Sequence, residues 1–139
     1  MQYNSQKTVR AIVVCCVQAD LLGGFLRFIT EDLGYEMGTF ALICIPGGPT
    51  PLAYPDQMEK ECRILDHQIQ FCGTLYPAAE LVLIAHKGCK YHERYALPHQ
   101  EVSDTDHPKN DFPAIRNRYP LCRTHYVRQN LQIGRLEST

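Results

Sequence analysis

The sequence predicts an α/β fold: a three-layer αβα domain around a central, mainly parallel sheet of four to five strands. Three observations carry this. Residues 9–17 and 80–85 are nearly continuous apolar runs rich in β-branched side chains, the pattern of strands covered on both faces. Between them lie two segments whose apolar residues recur every three to four positions, the period of an amphipathic helix. Strands that alternate with helices imply crossovers, and hence parallel pairing. The 139 residues suit one domain, residues 1–139, long enough to bury a core without disulfide or metal staples.

The elements follow in order. Residues 9–17 form the first strand. Residues 20–33 read as a helix, with Leu22, Phe25, Leu26, Ile29 and Leu33 on one face and Gly34 as its stop. Gly23 and Gly24 weaken its start or mark close approach to a neighbour. Residues 39–45 form the second strand, which runs into a Pro46-Gly-Gly-Pro-Thr-Pro51 loop. The second helix spans 56–75, with Met58, Cys62, Leu65, Ile69 and Cys72 on one stripe. Residues 81–85 form the third strand. Residues 86–95 are expected to be a loop opening into a short helix, and 98–112 an irregular excursion. A helical turn near 113–119 and a last strand at 125–133, exposed at the sheet edge, complete the chain. With the first strand central, the core order is 2-1-3. Ligands of such sheets bind outside the carboxyl ends of the strands, where the chain reverses direction.

A formal charge of −1 with scattered Lys and Arg gives no electrostatic case for nucleic acid. No apolar run reaches the ~20 residues of a membrane span, and the first eight residues hold no signal-peptide core. A cytoplasmic location is expected. Seven cysteines without a secretory signal do not suggest a disulfide framework. Cys44, Cys62 and Cys72 fall inside apolar patterns and read as small buried hydrophobes.

The chemistry concentrates at the ends of the two long apolar strands. One ends in Cys15-Cys16 and the other in His86-Lys-Gly-Cys89. Strand order 2-1-3 brings these ends together. Cys16, His86 and Cys89 are then a Cys₂His set suited to Zn²⁺, with a fourth position for water or substrate. Gly88 eases the turn that presents both residues of the His-x-x-Cys pair.

These residues resemble the β-class carbonic anhydrases, which carry Cys-x-Asp-x-Arg after the first strand and His-x-x-Cys after the third. Residues 16–20 (CVQAD) stand at the first motif, 86–89 (HKGC) match the second, and 42–48 (LICIPGG) are similar to the family's strand and glycine loop. The resemblance covers about residues 9–95. It implies a β-carbonic-anhydrase-like fold and Zn²⁺ held by Cys16, His86 and Cys89. It also implies hydration of carbon dioxide to bicarbonate by zinc-bound hydroxide, and assembly as a homodimer or higher homo-oligomer. The family's Asp, which orients that hydroxide, is here Gln18, and its Arg partner is Asp20. Both positions are candidate catalytic residues. Asp20 also reads as a cap of the first helix. The neutral Gln18 is expected to leave metal binding better preserved than hydration activity. Two other readings stay open: a non-catalytic binding or assembly module, and a metal-free thiol enzyme using Cys16 or Cys89 with His86. His92 is a candidate proton shuttle, and Lys87 and Lys90 flank the site.

Overall fold

The computed structural model describes residues 8–100 and 106–139. A five-stranded sheet in the order β2-β1-β3-β4-β5 runs through its centre. Strand β1 (Ala11–Cys16) pairs in parallel with β2 (Phe40–Ile45) on one side and β3 (Glu80–His86) on the other. Strand β4 (Arg123–Asn130) lies parallel to β3, and β5 (Arg135–Ser138) closes the sheet antiparallel to β4. All six β1 residues are buried. A strand paired on both edges and covered on both faces requires the continuous apolar run its sequence shows.

The first face is covered by a helical segment that opens as a 3₁₀ turn (Ala19–Leu21), becomes α1 (Leu22–Arg27) and ends in a π turn (Phe28–Asp32). Phe25, Phe28 and Ile29 pack there on Val13, Val82 and Val127. Gly24 serves close approach: a Cβ there would stand 2.9 Å from Leu136 Cγ on β5. The opposite face carries α2 (Glu59–Leu75) and α3 (Phe112–Arg118). Cys62, Leu65 and Ile69 of α2 and Ile115 of α3 pack there on Val14 and Leu83. The stripe expected on the second helix is the stripe that is buried, although Cys72 is only partly covered. The three layers and the core order 2-1-3 are therefore those expected.

Three expectations are corrected. The expected last strand at 125–133 is two strands with a turn between them. Asn130 ends β4 by accepting the backbone N–H groups of Gln132 and Ile133 on its side-chain oxygen at 3.0 and 3.3 Å, an Asx-type turn. Gly134 (φ 67°) completes the reversal. Strand β4 is therefore internal, and β5 forms the edge. Asp20 makes no capping hydrogen bond to either helical turn; it lies exposed in the 3₁₀ turn. The excursion expected at 98–112 includes a 3₁₀ turn (His107–Asp111), and residues 101–105 fall outside the described residues, as does the N-terminal stretch 1–7.

Candidate metal centre

Parallel pairing brings the carboxyl ends of β1 and β3 side by side. Cys16 lies two residues past the Val14–Leu83 pair on β1, and His86 three past it on β3. Gly88 (φ 72°) then turns the chain back in the left-handed region, where a glycine meets no Cβ penalty, and delivers Cys89. Lys87 N–H pins this turn to the Val127 carbonyl at 3.0 Å. The result is one compact group. The ligand atoms of Cys16, His86 and Cys89 all lie within 4.8 Å of one another, and the two sulfurs are 3.9 Å apart. The three residues are only 5 %, 2 % and 3 % exposed. No other group of three or more His, Cys, Asp or Glu side chains could hold a metal among the described residues.

The imidazole is prepared for a ligand. Its Nδ1 lies 2.9 Å from the Lys87 carbonyl, a contact that can form only if Nδ1 carries the proton. Nε2 is then left with a free lone pair, and it is buried without a hydrogen-bond partner. This is the usual arrangement of a metal-binding histidine, whose other ring nitrogen donates to a carbonyl or carboxylate. Phe25 of α1 meets the ring edge-on at 5.6 Å and holds its plane.

The sulfurs are prepared as well. The Cys16 thiol is drawn down to about 4, first by the hydrogen bond from Cys89, against the opposing effect of burial, and then by the N–H groups of Gln18 and Gly47. Cys89 is pushed up, first by the same contact with Cys16 and then by burial, while the N–H groups of His92 and Tyr91 act in the other direction. The two sulfurs are thus in direct contact, and backbone N–H groups favour the thiolate form of each. Residues 90–99 form a helical segment that begins just after Cys89, so its sulfur lies where helix-end N–H groups favour a thiolate. A divalent cation that accepts two sulfurs and one imidazole nitrogen fits this donor set, and soft or borderline metals such as zinc prefer it.

The glycine loop forms the wall beside Cys16. Gly48 (φ 54°) runs so close to β1 that a Cβ would stand 3.0 Å from the Cys15 carbonyl carbon and the Cys16 nitrogen. Gly47 (φ 78°) passes under Tyr91, whose ring a Cβ would enter at 2.3 Å. A cleft of about 450 Å³ opens on the outer side of this loop, among Pro46, Pro51, Met58, Ile64 and Tyr91, and none of the three ligand-type residues lines it.

Gln18 is half-buried two residues beyond Cys16. Its backbone N–H faces the Cys16 sulfur, and its side-chain Oε1 is buried without a partner. Lys87 is exposed; Lys90 is also exposed and pairs loosely with Glu93 at 4.0 Å. Cys15 is fully buried and its thiol is pushed up, chiefly by burial. It takes no part in the metal group.

In one arrangement beside the centre, only His92, the candidate proton shuttle, is singled out by the sequence. His92 is 1 % exposed, and its Nε2 lies 2.9 Å from Asp111 Oδ2. Asp111 Oδ1 accepts the Tyr54 hydroxyl and the Gln100 amide, each at 2.8 Å. Tyr54, Gln100 and Asp111 carry no motif, and the sequence separation of 19 from His92 to Asp111 matches no helix or strand period.

No family model matches the chain, and no curated protein matches it by sequence. Solved structures do match. Carbonic anhydrase from Streptococcus mutans superposes with a TM-score of 0.52 at 13 % identity, over 99 % of this chain and 86 % of that one. β-Carbonic anhydrase isoform I from Trichomonas vaginalis gives 0.51 at 14 % identity, with the same coverage. The fold is thus β-carbonic-anhydrase-like across nearly the whole chain, including the tail beyond residue 95.

Proposed function

We propose that this chain is a zinc-binding, β-carbonic-anhydrase-like protein whose metal is held by Cys16, His86 and Cys89. The observation that carries the reading is the buried lone pair of His86 Nε2, set in one group with two sulfurs. Bound there, zinc supplies Lewis acidity that renders water nucleophilic near neutral pH, less strongly beside two thiolates than beside three imidazoles. The residues do the rest. The Lys87 carbonyl holds the proton on His86 Nδ1. The N–H groups of Gln18 and Gly47 favour the thiolate of Cys16, and those of Tyr91 and His92 favour that of Cys89. The half-buried Gln18 amide is the polar group next along the chain, and its unpartnered Oε1 supports a role in orienting water or carbon dioxide at the fourth position. An amide can donate as well as accept, whereas a carboxylate only accepts, so hydration of carbon dioxide is reduced relative to an Asp-bearing site. Asp20, exposed and without a nearby arginine in the sequence motif, contributes less.

A non-catalytic role in binding or assembly is the second reading, and the absence of the Asp–Arg dyad at Gln18 and Asp20 favours it. The metal-free thiol enzyme is disfavoured by the burial of both sulfurs. Assembly into a homodimer or larger oligomer is supported by Ile64, Phe71 and Leu75, exposed on α2, and Leu42, exposed on the unpaired outer edge of β2. All seven cysteines are free thiols, which supports a cytoplasmic, reducing location. No helix among the described residues is long and apolar enough to cross a membrane.

Stopped-flow carbon dioxide hydration on zinc-loaded protein tests the reading. Turnover that is zinc-dependent and lost in His86→Ala supports an enzyme. Stoichiometric zinc without turnover selects the non-catalytic reading.

A further inference from the structure

Asp111 is the only buried carboxylate among the described residues, and His92 is one of two buried imidazoles. A carboxylate taken out of water is tolerated only when its oxygens are fully hydrogen-bonded, and Asp111 meets this through Tyr54, Gln100 and His92. None of these four residues belongs to the metal group. What they connect gives the network its meaning.

Tyr54 ends the segment that begins with the glycine loop. Successive hydrogen bonds stiffen that segment: Thr50 N–H and hydroxyl to the Gly47 carbonyl at 3.1 and 2.7 Å, Leu52 N–H to Pro49 at 3.0 Å, and Tyr54 N–H to Pro51 at 3.2 Å. At its start, the Gly47 N–H faces the Cys16 sulfur. On the other arm, the backbone N–H of His92 itself faces the Cys89 sulfur. The His92 ring is held against Asp111, so the carboxylate ties together two segments that each present an N–H to one ligand sulfur. The Tyr91 ring over Gly47 closes the seam between them.

We propose that Asp111 is a positioning residue of the metal centre: through Tyr54 and His92 it sets the two loops whose backbone N–H groups hold the sulfurs of Cys16 and Cys89. The inference rests on the metal reading above. Loss of such an outer partner typically weakens metal binding by ~10–100-fold, and a changed N–H···S geometry alters the sulfur-to-metal charge-transfer spectrum.

Cobalt(II) titration of the full chain reads both quantities. Asp111→Asn is expected to weaken cobalt binding by about 10–100-fold and to shift the near-ultraviolet thiolate-to-cobalt band. Tyr54→Phe should act in the same direction with a smaller effect, and it decides the matter alone if Asp111→Asn does not fold. Tyr119→Phe is the control, because it removes a different half-buried tyrosine–carboxylate contact, to Asp66, at the opposite end of α3 from Asp111. It should lower the melting temperature while leaving affinity and spectrum unchanged. Wild-type affinity and spectrum in the folded Asp111 and Tyr54 variants would overturn the proposal. So would equal weakening in Tyr119→Phe, which would mark general loosening. Wild-type protein that takes up no cobalt would refute the metal centre itself, and this inference with it.

Discussion

The sulfurs of Cys16 and Cys89 lie 3.9 Å apart although 73 positions separate them. Parallel pairing of β1 and β3 accounts for this, because it places the ends of two distant apolar strands side by side. Neither residue sits on a flexible arm. One closes the most buried strand of the sheet, and the other follows a glycine turn pinned to β4. The donors are therefore arranged before any ligand arrives.

Metal removal should be readable as stability. A ligand at 100 times its dissociation constant stabilises the folded state by about 2.7 kcal/mol. Chelation is expected to lower the melting temperature of zinc-loaded protein without unfolding it, because the sheet buries its core independently of the site. Cys16→Ser should melt at one temperature with or without chelator. Cys72→Ser, on the half-buried flank of α2, should respond as wild type does. A chelator response retained in Cys16→Ser would remove that residue from the ligand set.

Two glycines should respond oppositely to alanine. Gly23 is helical and a Cβ there meets nothing within 4 Å, so Gly23→Ala is expected to stabilise by roughly 0.5–1 kcal/mol. Gly48 combines a positive φ with a backbone contact at 3.0 Å, so Gly48→Ala should destabilise by about 1–3 kcal/mol and weaken metal binding. Urea midpoints measure both. Equal effects at the two positions would contradict the close approach of the glycine loop to β1.

Restoring the missing dyad should raise activity. Gln18→Asp combined with Asp20→Arg is expected to increase zinc-dependent carbon dioxide hydration by about 10–100-fold, with zinc stoichiometry unchanged. No gain in a variant that still binds zinc would mean that Gln18 does not adjoin the fourth ligand position.

His125 supplies a pH dependence away from the site. Burial, and secondarily Arg123, hold its imidazole below the ordinary value, and the Phe28 ring packs edge-on against it at 5.9 Å. Below about pH 6.5 the unfolded chain protonates this side chain while the folded chain resists. The unfolded state then binds more protons, so stability falls as pH drops through that value and is fully present above it. Urea midpoints at pH 7.5 and 5.5 should converge in His125→Gln relative to wild type. An unchanged pH slope in the variant would assign the dependence to other groups.

The parts of the fold legible in the sequence are those where one period runs uninterrupted. The apolar runs of β1 and β3 and the α2 stripe at Cys62, Leu65 and Ile69 are of this kind, and strand order then places Cys16 beside His86 and Cys89. The boundary of the last strand is not legible, because Leu131 and Ile133 continue the alternation of β4 while lying exposed in a turn. The Asp111 network left no trace, because its residues meet through tertiary packing and share no spacing. Gln18 was legible as a departure from a motif, whereas the partnerless burial of its Oε1 emerges only from the folded chain.

X-ray absorption at the zinc edge of protein purified without added metal tests the central claim most directly. The account predicts one zinc per chain, with two sulfurs at about 2.3 Å and nitrogen or oxygen neighbours at about 2.0–2.1 Å, and loss of one sulfur in Cys89→Ser. Protein free of zinc, or zinc coordinated by nitrogen and oxygen alone, would contradict it.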